Sequence, residues 1–252
     1  MPSVILAPLL AVGGAAAYML LTLKLGLYWR VPWPFLAVIA AGAGLGAVAL
    51  VRRPGVGSGI SAVLSGGVLV LALWWLFSFS MFGPREDRPR VGDVFPDFAL
   101  PSAGGGTFAL AERGGRRHLL MLYRGDWCPF CQVELERVRA RYDDIAARGV
   151  DVVAISVDPP ATSAALRERL GGRIEFVSDQ DGTLLDQLGV RQRDGVPAQL
   201  ADDRASRDIF LPTTFLLDEQ HRVRWVYRPD TYRVRATPDE ILVAIDELGP
   251  RS

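Results

Sequence analysis

The chain is poor in cysteine, lysine and histidine, with two, one and two of them among its 252 residues. Two cysteines form at most one bridge, which excludes a disulfide-rich secreted scaffold. Basic and acidic residues balance at 28 each, which argues against a general polyanion binder. The arginines are interspersed with acidic residues rather than gathered in one stripe, so no nucleic-acid partner is expected.

Acidic residues are absent from the first 83 positions, whose only charged side chains are Lys24, Arg30, Arg52 and Arg53. Three uncharged, apolar runs of 20, 17 and 23 residues occupy Val4–Leu23, Phe35–Val51 and Ile60–Phe82. About 20 helical residues cross the roughly 30 Å hydrocarbon core of a bilayer. Because a backbone in lipid must satisfy its own hydrogen bonds, we predict three transmembrane helices in residues 1–83. No charge lies within these runs, so they are expected to be an anchor.

Three features of this anchor leave alternatives open. The alternative interpretation of the first run is a cleavable signal peptide, but the run lacks a basic start, and two further runs would remain after cleavage. Glycines in the second run predict either a close helix contact or lipid-tolerant filler; they are Gly42, Gly44 and Gly46. With three spans, the loop after the first helix and the C-terminal domain lie on the same side of the membrane. That side holds five basic residues near the spans, whereas the opposite side holds two. The five are Lys24, Arg30, Arg85, Arg88 and Arg90, and the two are Arg52 and Arg53. This distribution favours a cytoplasmic C-terminal domain at a plasma or inner membrane, with the extracytoplasmic side as the alternative.

After a polar linker at 84–90, residues 91–249 alternate short β-branched runs with helical patterns, which predicts an α/β domain with a layered sheet. A hairpin is predicted in Val91–Leu110. The predicted strands are His118–Tyr123, Val150–Val157, Ile174–Val177, Thr213–Leu217 and Val223–Tyr227. The predicted helices are Pro129–Arg148, Pro160–Leu170, Thr183–Leu188 and Pro238–Leu248, the last capped by Thr237 and Glu240. The polar insert 191–210 is expected to be a lid, a partner-binding segment or disordered.

Both cysteines lie in Trp127-Cys128-Pro129-Phe130-Cys131, where a predicted strand meets a predicted helix. Their spacing places both sulfurs on one helical turn. Free N–H groups and the positive end of the helix dipole favour a thiolate at the first position, so Cys128 is the predicted nucleophile. Pro129 fits the first turn, where no N–H is needed. Cys131 would then resolve a mixed disulfide, as part of a redox pair that uses no cofactor.

The two cysteines have three other interpretations: a zinc site, a structural disulfide and inert buried thiols. A zinc site would need His118 and His221 as further ligands, and their spacing does not suggest it. A structural disulfide across two residues closes too small a loop to constrain the unfolded chain much. Inert buried thiols fit poorly with a helix start. No metal site is predicted.

Residues 91–249 resemble the thioredoxin superfamily in its redoxin branch, which contains peroxiredoxins and membrane-anchored thioredoxin-like reductases. Three segments carry the resemblance: Gly92-x-x-x-Pro96-x-Phe98-x-Leu100, Tyr123 to Cys131, and Leu211-Pro212-Thr213-Thr214-Phe215. It implies a central mixed sheet flanked by helices. It further implies a cis-proline at Pro212 that faces the disulfide, and a docking groove shaped by Pro212 and Trp127.

The resemblance is less specific about activity. Peroxiredoxins carry Pro and Thr or Ser where this chain has Met121 and Gly125, and an Arg near the start of the later strand, where this chain has Pro212. These departures favour a dithiol–disulfide exchanger. Arg124 would be the substitute donor for a peroxide, unless it is a surface residue.

Similarity to the membrane-anchored reductases implies that Glu134 is a proton shuttle for the resolving thiol. The alternative is a solvated helix carboxylate. Asp126 is a second candidate acid, with a turn residue as its alternative interpretation.

The sequence therefore predicts a membrane-anchored thiol–disulfide oxidoreductase that acts on a disulfide or dithiol of a partner protein. The catalytic candidates are Cys128, Cys131, Pro212, Trp127 and Glu134. One alternative is a thiol peroxidase in which Cys128 reacts with a hydroperoxide and Cys131 resolves the product. The other is a membrane-tethered interaction module whose thiols are incidental.

Overall fold

A computed structural model describes residues 2–83, 88–200 and 206–249 of the chain. The chain divides into two compact units, residues 1–82 and 83–252. Part of the predicted linker (84–87, with Arg85) and part of the predicted insert (201–205) lie outside the described residues.

The N-terminal unit consists of three helices, as the three apolar runs predict. They are α1 (Pro2–Leu25), α2 (Trp33–Arg52) and α3 (Val56–Trp74), which continues as a π-helical turn over Trp75–Phe79. All three are long and apolar enough to cross a membrane by length and composition.

Two of the three glycines of α2 allow close helix approach, and the third does not. A Cβ on Gly42 would lie 2.7 Å from the carbonyl oxygen of Ala7 on α1. A Cβ on Gly46 would lie 2.5 Å from Ser65 Oγ on α3. A Cβ on Gly44 would meet nothing within 4 Å. The close-contact interpretation is therefore confirmed for Gly42 and Gly46, whereas Gly44 is filler.

Helix α3 buries small polar residues and exposes large apolar ones. The buried residues of α3 are Ser58, Ser61 and Ser65, and Ser65 Oγ donates to the Ser61 carbonyl at 2.8 Å. Large apolar side chains of the same helix are exposed, among them Val56, Ile60, Val63, Val70 and Leu71. This arrangement is the reverse of a water-soluble bundle, whose apolar stripe faces the core.

The C-terminal unit is built on a five-stranded mixed sheet, as the resemblance implies. The strands of the unit are β1 (Ala99–Pro101), β2 (Thr107–Ala109), β3 (Arg117–Leu122), β4 (Val150–Ser156), β5 (Glu175–Ser178), β6 (Arg191–Gln192), β7 (Ile209–Phe210), β8 (Thr213–Leu217) and β9 (Val223–Tyr227). The central sheet has the order β5-β4-β3-β8-β9. The β3–β4 and β4–β5 pairs are parallel, whereas β8 runs antiparallel to both β3 and β9. The predicted hairpin is confirmed as β1–β2.

The helices of this unit follow the predictions except at one place. They are α4 (Pro129–Ala140), α5 (Tyr142–Ala147), α6 (Pro160–Arg169), α7 (Thr183–Gln187) and α8 (Pro238–Glu247). A single helix over Pro129–Arg148 is wrong, because Arg141 leaves helical geometry with φ −110° and ψ 15°. Its guanidinium contacts Asp144 on α5 and Asp239 on α8 at 2.5 and 2.7 Å. The predicted capping box of α8, Thr237 with Glu240, is confirmed.

The polar insert is closed at its base by two short strands that the sequence analysis missed. Arg191 pairs with Phe210 and Gln192 with Ile209. The Arg191 guanidinium also forms an ion pair with Asp208, next to Ile209. Disorder is therefore wrong for these described ends of the insert.

The two glycines of α2 provide a matched test of helix packing. We expect Gly42→Ala to lower the melting temperature of the full chain in detergent, because a methyl group would push backbone against backbone. Gly44→Ala should leave the melting temperature unchanged or raise it, since alanine favours a helix by about 1 kcal/mol over glycine. Equal melting temperatures of the two variants would contradict the packing described above.

Candidate active site

Helix α4 begins at the first cysteine. Strand β3 ends at Leu122, a turn follows, and Cys128 is the N-cap residue of α4 in extended geometry, with φ −84° and ψ 110°. The carbonyl oxygen of Cys128 accepts hydrogen bonds from the amides of Cys131 and Gln132, each at 3.1 Å. Pro129 occupies the first helical position. The structure thus brings both sulfurs onto the first turn of a helix.

The turn before Cys128 has no room for a side chain at Gly125. Its φ is +149°, a region that L-residues other than glycine rarely adopt. A Cβ there would lie 2.5 Å from Trp127 Nε1 and 3.1 Å from Asp158 Oδ1. A threonine or serine, which peroxiredoxins carry at this position, would therefore clash with the Trp127 indole as it lies in this turn.

Asp158 stabilises this turn from the end of the neighbouring strand. Its side chain is fully buried and its Oδ2 accepts a hydrogen bond from the Asp126 amide at 2.8 Å. Ser156 Oγ donates to the same oxygen at 3.2 Å. The side-chain amide of Gln132 donates to the carbonyl of Asp126 from α4. Both backbone groups of Asp126 are therefore hydrogen-bonded, the amide to Asp158 and the carbonyl to Gln132, in agreement with the interpretation of Asp126 as a turn residue.

Both thiols are fully buried and free, yet their pKa values are shifted in opposite directions. Burial opposes ionisation of Cys128, but the hydrogen bond from Cys131 and the charges of Arg235 and Arg124 lower its pKa to about 6. Burial, the hydrogen bond to Cys128 and the charge on Cys128 raise the pKa of Cys131. At neutral pH, Cys128 is therefore a thiolate and Cys131 a thiol.

Arg235 contacts Cys131, and the sequence analysis missed it. The side chain is about 2% exposed, and its Nη2 donates to Cys131 Sγ at 3.2 Å. Its Nε forms an ion pair with Glu134 Oε2 at 2.9 Å. Its Nη1 donates to the carbonyls of Tyr232 and Val234 at 2.6 and 2.7 Å. No sequence motif marks Arg235, which lies 104 residues after Cys131.

Glu134 lies inside the domain rather than on its surface. It is 4% exposed on the inner face of α4, so the interpretation as a solvated carboxylate is wrong. Burial raises its pKa to about 8 against the opposing charge of Arg235, with a further increase from Cys131. A carboxyl group with this pKa exchanges a proton near neutral pH.

Arg124 is also buried, which contradicts its interpretation as a surface residue. Its guanidinium carbon lies 4.8 Å from the ring centre of Trp127 and 4.9 Å from that of Tyr232. Its Nη2 donates to the carbonyl of Gly195 at 3.4 Å, so the polar insert reaches the site through this contact. Arg124 Nε and Trp127 Nε1 are buried without a hydrogen-bond partner.

Pro212 lies at the cysteine end of the sheet, but it is not a cis-proline. It immediately precedes β8, whose Thr213 pairs with Leu122 at the end of β3. Among the residues that the structure describes, the one cis peptide bond precedes Pro89, so the Leu211–Pro212 bond is trans. The expected cis geometry is therefore wrong.

The histidines lie away from the cysteines. His118 is at the start of β3 and packs against His221, with ring centres 5.5 Å apart. Burial lowers the pKa of His118 to about 4. Over residues 2–83, 88–200 and 206–249, no three His, Cys, Asp or Glu side chains are grouped so as to hold a metal ion. The zinc-site interpretation lacks a ligand set within this part of the chain.

Comparison with known proteins places this geometry in a family context. A sequence model described as the AhpC/TSA family matches residues 91–226. Peroxiredoxin Bcp of Escherichia coli is 32% identical over 101 residues, which are 40% of this chain and 65% of that protein. The chain thus spans slightly less than two thirds of that relative. The thiol-disulfide oxidoreductase ResA of Geobacillus thermodenitrificans is 26% identical over 158 residues, 62% of this chain and 80% of that protein.

Solved structures show the same fold. Peroxidoxin BcpB from Mycobacterium tuberculosis superposes with a TM-score of 0.54 at 23% identity, covering 64% of this chain and 99% of that one. The named relatives are oxidoreductases of two kinds, peroxiredoxins and a thiol–disulfide oxidoreductase. The family match spans more than half of the chain and coincides with the thioredoxin-like sheet that carries the two cysteines. The chain therefore belongs to the AhpC/TSA family, within the redoxin branch of the thioredoxin superfamily.

Proposed function

We propose that the chain is a membrane-anchored thiol–disulfide oxidoreductase whose reacting groups are Cys128 and Cys131. The observation that carries the proposal is the opposite acidity of two thiols on one helical turn, with the pKa of Cys128 lowered to about 6 and that of Cys131 raised. One sulfur is thus ready to attack while the other stays protonated until needed. The ResA relative is named for this reaction class.

The reaction takes place in two displacements. The Cys128 thiolate attacks a disulfide of the partner protein, so that a mixed disulfide forms and one partner thiolate leaves. Cys131 then gives its proton to the ionised form of Glu134 and attacks Cys128 Sγ, which releases the second partner thiolate. The protein dithiol is oxidised and the partner disulfide is reduced, and the reverse direction uses the same steps. We assign Trp127 and Pro212 to the rim of the docking groove, and no cofactor is required.

Membrane anchoring by residues 1–83 forms part of the proposal. It is supported by three helices of sufficient length and apolar character, and by the exposed apolar surface around buried serines. A bilayer would cover that surface. We propose that the redoxin domain, residues 91–249, lies on the same side as Lys24 and Arg30, which the positive-inside tendency makes cytoplasmic.

Thiol peroxidase activity is the second candidate function. Several relatives are named peroxiredoxins, and Arg124 contributes to the low pKa of Cys128. Cys128 would displace an alcohol or water from a hydroperoxide and become a sulfenic acid, and Cys131 would condense with it, releasing water. Gly125 argues against this candidate, because its steric surroundings exclude the hydroxyl side chain that peroxiredoxins carry there.

We expect the rate at which iodoacetamide alkylates the reduced full chain to rise with a midpoint near pH 6, since only the thiolate reacts. An ordinary cysteine would give a midpoint near pH 8.5. Cys131→Ala removes the hydrogen bond to Cys128 and should move the midpoint upward. Cys128→Ser should abolish the reaction below pH 8. A wild-type midpoint above pH 8 would contradict the assignment of the nucleophile.

Cys131→Ser should trap a mixed disulfide between Cys128 and a disulfide-bonded substrate protein, because the resolving step is lost. Non-reducing electrophoresis with mass spectrometry measures the adduct, and Cys128→Ser is the control that should form none. If no adduct forms but a hydroperoxide oxidises Cys128 rapidly in stopped-flow fluorescence, the peroxidase is the correct function. If neither reaction occurs, the chain is an interaction module.

The full chain should sediment with membranes and resist extraction by alkaline carbonate, since three apolar helices would be held by lipid. A reporter that is active only in the cytoplasm, fused to the C-terminus, should be active, because the redoxin domain is proposed to be cytoplasmic. Release of the chain by carbonate would contradict the anchor, and a reporter active only outside would reverse the orientation.

A further inference from the structure

The guanidinium of Arg235 contacts the two groups that exchange a proton in the resolving step. Its Nη2 is 3.2 Å from Cys131 Sγ, and its Nε is 2.9 Å from Glu134 Oε2. All three side chains are at least 96% buried, so water does not screen their charges. Two backbone carbonyls hold the remaining nitrogen, which fixes the position of the guanidinium.

The charges of this cluster depend on one another. An arginine stays protonated in proteins, so Arg235 contributes one fixed positive charge. Two buried negative charges on Glu134 and Cys131 would leave one of them uncompensated, and that is costly at low dielectric. One negative charge on the pair is therefore the favoured state.

The other titratable groups that act on these residues do not change this balance. Burial raises the pKa of Tyr123 and brings that of Tyr227 to about 12, so both phenols stay neutral. The Cys128 thiolate interacts with Arg235, and Arg124 is a second cation acting on it. Once Cys128 is held in a mixed disulfide it is uncharged, and the charges of Cys131 and Glu134 still act on Arg235.

We propose that Arg235 is a further catalytic residue, the shared counter-ion through which Glu134 takes the proton of Cys131 without a change in the net charge of the buried cluster. This role rests on the proposed thiol–disulfide exchange. The transfer starts from the ionised form of Glu134, which is a minority near neutral pH because burial raises the pKa of Glu134 to about 8. In that form the negative charge is on the Glu134 carboxylate, and after transfer it is on the Cys131 sulfur. Both positions face the same guanidinium, so neither state leaves a buried charge unpaired.

The step is balanced in atoms and electrons. The proton moves from Cys131 Sγ to the Glu134 carboxylate, and the thiolate attacks Cys128 Sγ. The Cys128–Cys131 bond forms as the bond from Cys128 to the partner sulfur breaks. The partner leaves as a thiolate with the electron pair and takes up a proton from Glu134 or water. The role requires an arginine, because a lysine ammonium is a point charge and not a planar fork that spans two partners.

The test follows the two displacements separately in the full chain, purified in detergent and reduced. The probe is 4,4′-dithiodipyridine, which releases one absorbing thiopyridone when Cys128 attacks and a second when Cys131 resolves. Arg235→Gln should slow the second phase roughly 10- to 100-fold, the effect expected on losing a charged hydrogen bond. The first phase should slow less, because Arg235 only assists the ionisation of Cys128.

Arg117→Gln is the matched control for removal of a buried arginine. Arg117 lies at the start of β3, about 4% exposed, and pairs with Glu219 at 2.7 Å. This control should leave the ratio of the two rate constants unchanged. An unchanged ratio in Arg235→Gln, or an equal change in Arg117→Gln, would overturn the proposal.

Two further variants keep the test decisive if Arg235→Gln does not fold. Arg235→Lys keeps the charge but not the fork, so its second phase should still be slowed. A second phase as fast as that of the wild type in this variant would refute the role.

The second phase of the double variant Arg235→Lys with Glu134→Gln should be no slower than that of the slower single variant, because the two residues act in one step. If the rate reductions of the two single variants multiplied in the double variant, Arg235 and Glu134 would act independently, which would contradict the proposal. Absence of both phases in the wild type would instead refute the proposed function itself.

Discussion

The chemistry of this domain depends on the place where the chain stops being a strand and becomes a helix. Cys128 caps α4, so its sulfur lies at the positive end of the helix while its carbonyl already accepts the first helical hydrogen bonds. That position is held by two contacts outside the helix. Gly125 allows the Trp127 indole to approach the backbone, and Asp158 binds the amide of Asp126. A shift of the turn by one residue would separate the two sulfurs from this environment.

A dry interior then divides the roles of two chemically identical thiols. Burial alone raises the pKa of both, so the difference between them must come from neighbours. Cys128 receives a hydrogen bond from Cys131 and the charges of two arginines. Cys131 donates that bond and feels the resulting thiolate. The same interior raises the pKa of Glu134 to about 8, and the adjacent charge of Arg235 opposes that shift, so a fraction of Glu134 is ionised near neutral pH.

The sequence predicts those features that depend on local periodicity and on adjacent residues. The apolar runs, the strand and helix pattern and the position of both cysteines all follow from short-range rules, and the α8 capping box does so within four residues. The errors arise where distant segments decide the outcome. Arg141 interrupts a helix that periodicity would continue, and Arg124 and Glu134 look like surface residues until the fold covers them. The trans geometry at Pro212 contradicts what the resemblance implied.

Arg235 shows most clearly why a family resemblance does not specify a site completely. The family match ends at residue 226, before the segment that carries Arg235. Within the matched region, Gly125 departs from the peroxiredoxin pattern for a steric reason, and Glu134 gains a buried position on α4. A buried acid beside a resolving thiol is unfavourable without a cation, and nothing in the cysteine motif supplies one. The chain supplies it from the segment between β9 and α8, so the buried cation that contacts Cys131 and Glu134 lies outside the region that identifies the family.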